Sequence, residues 1–181
     1  MYNEYGYQLE RNLIPIEIAK LLNWQFRDMI KNNYPKITKE KDQVPGAWSS
    51  YGNYNADLLL FLLKPKIEKV VNLELVPTYS YYRLYEKGQE LKPHTDRKSC
   101  EYSVTINLGY SHDWPLYIED YNSFTHEMYM GVGDGIIYNG IDLKHHREKF
   151  NGDWYSQIFL HYVDVDGPNR NYIYDKRDIL W

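Results

Sequence analysis

Apolar residues recur at three- and four-residue steps in the first part of the chain and at two-residue steps from Pro77 onward. Ile18, Leu21, Leu22, Phe26, Met29 and Ile30 make one stripe at helical spacing. Pro15 suits a first turn and Glu17 the positive helix end, while Asn32-Asn33-Tyr34-Pro35 stops the pattern. Residues 36–54 read as a polar loop around Pro45-Gly46. Leu58, Leu59, Phe61, Leu62, Ile67, Val70 and Val71 predict a second helical stretch, interrupted or restarted at Pro65. These helices are expected to pack on a sheet and to carry no chemistry of their own.

The later period of two predicts eight short strands, at 79–85, 90–95, 101–108, 115–119, 127–131, 135–139, 144–149 and 155–163. Glycine-bearing turns separate several of them, among them Lys87-Gly88, Asn139-Gly140 and Asn151-Gly152-Asp153. Even spacing of this kind predicts a barrel or a double-sheet jelly roll. The expectation is an α+β chain of 181 residues in a single domain. It has mainly helical support over 1–75, an eight-stranded core over 76–164 and a polar tail over 165–181.

Composition narrows the classes. Apolar residues are 43% and charged residues 25%, which excludes a disordered or fibrous chain. The net charge of −4 argues against a general nucleic-acid binder, which needs a basic face. The single Cys100 has no partner for an internal disulfide, rules out a cysteine-based zinc site and fits a reducing compartment. The longest apolar run, 58–63, is too short to cross a bilayer, and no signal-peptide pattern opens the chain. Together these predict a cytoplasmic protein without a membrane or nucleic-acid partner. The 20 tyrosines are unusual and concentrate where strands and pocket walls are expected.

The candidate chemistry lies in two strands. In Lys92-Pro93-His94-Thr95-Asp96, His94 and Asp96 are two apart and share a face. About fifty residues later stands Lys144-His145-His146-Arg147-Glu148. A jelly roll brings such strands together. Two imidazoles and one carboxylate on an octahedral metal leave three positions open, the arrangement non-haem Fe(II) oxygenases need. His-x-Asp alone is common by chance. Its place at one strand end, with a histidine at a later strand start, is far more specific. His145 and His146 point to opposite faces of a regular strand, so parity leaves both open as the distal ligand.

The stretch Tyr85-Glu86-Lys87-Gly88-Gln89-Glu90-Leu91-Lys92-Pro93-His94-Thr95-Asp96 resembles the Tyr-x-x-Gly-x-x-Leu-x-x-His-x-Asp signature of 2-oxoglutarate/Fe(II)-dependent oxygenases of the prolyl 4-hydroxylase-like type. Gly133-Asp134-Gly135-Ile136-Ile137-Tyr138 is similar to the strand before that family's distal histidine. His145–Gly152 and Gln157–Tyr162 resemble the closing strands of its bacterial and phage-type branch. The resemblance covers about residues 77–164.

It implies a double-stranded β-helix, with Fe(II) held by His94, Asp96 and the distal histidine, for which the resembling branch favours His145. It also implies 2-oxoglutarate as co-substrate, chelating iron through its keto and C1-carboxylate oxygens. O₂ and 2-oxoglutarate are then consumed to give succinate, CO₂ and a hydroxylated C–H bond, with the protein positioning and shielding the chemistry. Related halogenases lack the carboxylate corresponding to Asp96, so its presence favours hydroxylation. The favoured substrate is a prolyl residue of a protein or peptide. Tyr85 matches a family tyrosine that hydrogen-bonds the co-substrate.

One departure stands out. The family places Lys or Arg about nine or ten residues after the distal histidine, and those positions here are Trp154 and Tyr155. A buried carboxylate still needs a charged or multiply hydrogen-bonding partner. Arg147 shares a face with His145 and is the first candidate for the C5 carboxylate. Arg83, in parity with Tyr85, is the second, and Tyr155 is a candidate to assist. A surface salt bridge is the competing role for Arg147. Arg97 and Glu101 are expected to form a local ion pair, Asn107 is a candidate pocket residue, and Cys100 is expected to be a small packed residue. His161 shares parity with Tyr155, Gln157 and Phe159 and is a candidate barrel-lining residue.

Two other readings compete. A small-molecule hydroxylase or a cupin-type iron dioxygenase is kept open by the missing basic anchor. A non-catalytic jelly-roll binding module is permitted by the many aromatics, but gives no reason to keep two histidines and an aspartate together.

Overall fold

A computed structural model describes residues 2–178. In chain order the elements are α1 (Tyr2–Tyr5), β1 (Tyr7–Glu10), α2 (Ile16–Lys31), β2 (Ile37–Lys39), β3 (Trp48–Tyr51), α3 (Tyr54–Val71) and β4 (Leu75–Glu86). They continue with β5 (Leu91–His94), β6 (Tyr102–Tyr110), β7 (Leu116–Glu119), β8 (Thr125–Met128), β9 (Gly135–Asn139), β10 (His145–Arg147) and β11 (Trp154–Asp164). Short 3₁₀ segments occupy Lys98–Cys100 and Arg170–Lys176.

The strands form two antiparallel sheets. The larger runs β1-β9-β6-β11-β4-β3-β2 and the smaller β5-β10-β7-β8. The eight strands from Leu75 to Asp164 make the double-stranded β-helix, as the period of two predicts.

Strand parity divides the larger sheet into two chemistries. Tyr82, Val104, Ile106, Ile137, Ile158, Leu160 and Tyr162 face the helices and join Leu22, Phe26, Leu60 and Ile67 in the main core. Phe26 stacks on Tyr82 with ring centroids 4.7 Å apart, and the Tyr162 hydroxyl donates to the Leu60 carbonyl at 2.8 Å. The alternate positions Tyr79, Tyr81, Arg83, Thr105, Gln157, Phe159 and His161 turn the other way and line a cavity of about 670 Å³ between the sheets. The helices thus support the back of the sheet whose front carries the polar groups.

Several expectations are corrected. The stretch 36–54 is not a simple loop: Ile37–Lys39 and Trp48–Tyr51 pair as a hairpin and extend the sheet from β4. Tyr7–Glu10 adds a further strand beside β9. These strands have three or four residues, too few to show a period. The second helix is not interrupted at Pro65 but runs from Tyr54 to Val71 with Pro65 on its exposed side. The first helix buries Ala19, Leu22 and Phe26, while Ile18 and Leu21 are exposed. Arg97 does not pair with Glu101. It makes two bonds, of 2.9 and 2.7 Å, to Asp175, and Glu101 accepts from the Asp164 amide. The polar tail therefore packs back beside the cavity mouth, and its last residues, 179–181, lie outside the described residues.

Candidate metal centre and co-substrate cavity

The smaller sheet sets the two histidines side by side. β5 and β10 pair with His94 directly opposite His145, and Leu91 opposite Arg147. Three steps along β5 thus match two along β10, so an extra residue is accommodated at Lys92-Pro93. A proline is tolerated at such a bulge, and the bulge turns both Leu91 and His94 toward the cavity. Asp96 follows in the loop, where its amide donates to the Gly140 carbonyl at 2.8 Å.

Asp96 Oδ1 lies 3.6 Å from His94 Nε2 and 3.7 Å from His145 Nε2. The three donor atoms all lie within 4.8 Å of one another. Each histidine is oriented from behind. His94 Nδ1 is 2.8 Å from the Lys92 carbonyl and His145 Nδ1 is 2.9 Å from the Leu143 carbonyl. A carbonyl only accepts, so both Nδ1 atoms carry protons and each Nε2 keeps a lone pair to offer a metal. Tyr138 packs edge-on against His145 at 4.9 Å. Burial lowers the His145 pKa, favouring the neutral ring a metal requires. Burial alone would raise Asp96. The His94 contact, the His145 and His161 rings and the Ser103 hydroxyl outweigh it and hold the carboxyl at about 2. The donor set is two imidazole nitrogens and a carboxylate, which fits a divalent first-row metal.

His146 points away, stacked on Tyr117 at 4.9 Å on the opposite face of β10. Arg147 returns to the cavity side and is 2% exposed. Its Nη1 donates to the Trp114 carbonyl, and its guanidinium lies 4.8 Å from the ring centroids of both Trp114 and Tyr155. Nη2 of Arg147 and the Tyr155 hydroxyl are buried without a hydrogen-bond partner. Two unpaired buried donors beside each other are costly unless an acceptor joins them. A carboxylate satisfies both. The positive charge thus reaches the neighbourhood of Tyr155 from β10 in the facing sheet rather than from the position nine or ten residues after the distal histidine.

Arg83 is also buried in the cavity wall, but its donors are engaged. It bonds Glu40 at 2.5 and 3.1 Å, Gln43 at 2.5 Å and the Tyr85 hydroxyl at 3.0 Å. Tyr85 is buried and its hydroxyl meets Arg83. Asn107 does not face the cavity. Its amide donates to the Met130 carbonyl and its oxygen accepts from the Gly109 amide. Glu40 and Gln43 were not singled out by the sequence. They come from the segment between β2 and β3, about forty residues from Arg83, and no local pattern marks them.

No family model and no curated protein matches the chain by sequence. Solved structures do. A Pseudomonas putida prolyl-4-hydroxylase superposes with a TM-score of 0.73 at 13% identity, covering 90% of this chain and 95% of that one. This chain has the fold of the 2-oxoglutarate/Fe(II) oxygenases. A prolyl hydroxylase from Trichoplax adhaerens, solved with a hypoxia-inducible-factor peptide fragment, gives 0.71 at 12% identity over 90% and 86% of the two chains. The epimerase SnoN, solved with Fe³⁺, α-ketoglutarate and nogalamycin RO, gives 0.75 at 9% identity over 91% and 81%. The shared oxygenase fold thus serves a peptide in one neighbour and a small molecule in another. Among the described residues no helix is long and apolar enough to cross a membrane.

Proposed function

We propose that the protein is an Fe(II)- and 2-oxoglutarate-dependent dioxygenase that hydroxylates a C–H bond. The observation that carries this reading is the convergence of His94 Nε2, Asp96 Oδ1 and His145 Nε2 in one cavity with the unpaired Nη2 of Arg147. His94, Asp96 and His145 would hold the metal. Arg147, assisted by Tyr155, would take the C5 carboxylate of 2-oxoglutarate. When bound, the metal and co-substrate supply the oxidising chemistry, in which 2-oxoglutarate, O₂ and R–H give succinate, CO₂ and R–OH.

The chain's own residues orient and shield. The Lys92 and Leu143 carbonyls fix the imidazole tautomers. Tyr138 and Leu91 bound the inner cavity and exclude water. Toward the mouth, Tyr51, Tyr79, Tyr81 and Phe159 offer aromatic faces. Such faces suit a prolyl ring, and a prolyl residue of a protein or peptide is the favoured substrate. A small-molecule substrate is the second reading. It is supported by Glu40 and Gln43 of the β2–β3 segment, which line the cavity and reduce the space open to a chain.

The test is succinate formation from 2-oxoglutarate by the Fe(II)-reconstituted protein under air, with proline-containing peptides assayed for a 16 Da gain. Succinate above the level of the His145→Ala variant is expected. None above that level sinks the reading, while succinate without peptide hydroxylation moves the substrate to a small molecule.

A further inference from the structure

Behind Asp96 lies a second set of buried polar groups that the metal centre does not use. Ser103 Oγ is 2.9 Å from Asp96 Oδ2, 2.9 Å from His161 Nδ1 and 3.1 Å from the Cys100 carbonyl. Ser103 is fully buried and His161 is 6% exposed. A hydroxyl has one proton to give. The carboxylate and the carbonyl can only accept, and the charged carboxylate is the stronger acceptor. If Ser103 donated to His161 instead, its lone pairs would face the Asp96 oxygen at hydrogen-bond distance. The arrangement that satisfies both side-chain pairs has His161 Nδ1–H donating to Ser103 and Ser103 donating to Asp96, with the Cys100 carbonyl, the longest of the three contacts, left without the hydroxyl proton. The His161 ring is itself fixed, packed on Tyr79 at 4.6 Å and parallel to Phe159 at 6.5 Å.

The geometry points to Ser103 and His161 as positioning residues that hold Asp96 as a one-oxygen metal ligand. This rests on the metal reading of His94, Asp96 and His145. With Oδ2 tied to Ser103, only Oδ1 faces the two histidine Nε2 atoms. A carboxylate free to rotate can give both oxygens to a metal and take one of the positions that a chelating co-substrate and O₂ require. Gly140 leaves room for the clamp. A Cβ there would stand 2.5 Å from Asp96 Oδ2 and 2.7 Å from Ser103 Oγ. Partners behind metal ligands of this kind typically contribute about 10- to 100-fold in metal affinity.

The experiment is Co(II) titration of the metal-free protein, followed by its visible d–d absorption, with urea unfolding of each variant in parallel. Ser103→Ala and His161→Leu are each expected to weaken Co(II) binding about 10- to 100-fold and to alter the absorption bands. The His161→Asn side chain places an amide N–H close to where Nδ1–H stands, and is expected to restore affinity to within about threefold of wild type and recover the bands. A purely packing role for His161 predicts the opposite order, because leucine fills the apolar space better than asparagine. Wild-type affinity and spectrum in Ser103→Ala, or equal losses in the two His161 variants, overturn the proposal. If Ser103→Ala does not fold, the two His161 variants decide alone. Wild-type protein that fails to bind Co(II), or Asp96→Ala binding as tightly as wild type, overturns the metal reading and this inference with it. Intact binding in wild type, loss in Asp96→Ala and no loss in Ser103→Ala overturns this inference alone.

Discussion

The side-chain amide of Gln43 donates to His94 Nε2 across 2.7 Å. That nitrogen is the atom His94 would offer a metal, since its Nδ1 proton is committed to the Lys92 carbonyl. Gln43 also accepts from Arg83, which is clamped to Glu40. The segment between β2 and β3 is therefore tied to β4 through Arg83 and to the centre through the one bond from Gln43 to His94, which metal binding at His94 must break.

A neutral hydrogen bond of this kind contributes about 0.5–1.5 kcal/mol net. Gln43→Leu removes the competitor and should tighten Co(II) or Ni(II) binding roughly two- to tenfold. Weaker binding in Gln43→Leu would instead assign Gln43 a supporting role at the centre.

The metal ligands themselves give a sharper contrast. His94→Ala, Asp96→Ala and His145→Ala should each abolish metal-dependent succinate formation, whereas His146→Ala should retain it. His145 faces Asp96 and His146 stacks on Tyr117 on the other side of the strand. An active His145→Ala together with a dead His146→Ala would reverse that assignment.

What could be read from the sequence followed from period and parity. The two-residue step from Pro77 gave all eight strands of the barrel, and parity on β10 placed His145 and Arg147 on one side with His146 on the other. The hairpin of β2 and β3 was not legible, because three- and four-residue strands carry too little periodicity. Glu40 and Gln43 could not be anticipated for the same reason: their partners Arg83 and His94 are set by long-range closure. Nearness in sequence points Arg97 to Glu101, whereas its partner Asp175 arrives from the tail. Ser103 lies in a strand whose neighbours are apolar or small, and nothing local marks it as a partner of Asp96.

Asp134, in the turn before β9, offers a pH test away from the cavity. Its carboxylate accepts from the Asn12 amide at 2.9 Å, the Gly131 amide at 2.8 Å and Arg11 at 2.6 Å. Burial opposes ionisation, but these donors outweigh it and lower the pKa. A carboxyl whose folded pKa is depressed contributes stability that is present above its unfolded value, near pH 4, and is lost as pH falls through the folded value. Asp134→Asn should therefore cost about 2–4 kcal/mol in urea unfolding at pH 7. The gap to wild type should narrow below about pH 4. A gap that stays constant with pH would show that the charge is immaterial.

Arg147 provides the test of co-substrate binding. Its Nη2 is buried and unpaired beside the equally unpaired Tyr155 hydroxyl, and its other donor is anchored on the Trp114 carbonyl. The guanidinium is thus held in place before a carboxylate arrives, and little side-chain freedom remains to be lost on binding. Truncating one partner of a buried, hydrogen-bonded charge pair costs about 2–5 kcal/mol, roughly 30- to several-thousand-fold in affinity. Arg147→Leu should raise the KM for 2-oxoglutarate by an amount in that range while Co(II) affinity stays within about twofold, since Arg147 touches none of the three metal-facing atoms. Arg147→Lys should recover part of the loss, because it restores the charge without the planar fork. Arg83→Leu should behave differently. It strands Glu40 in a buried site without its cation, so its main effect should be a loss of stability of about 3–5 kcal/mol. If Arg83→Leu stays folded and raises the KM strongly while Arg147→Leu leaves it unchanged, the anchor belongs to β4, and Glu40 must leave Arg83 when 2-oxoglutarate binds.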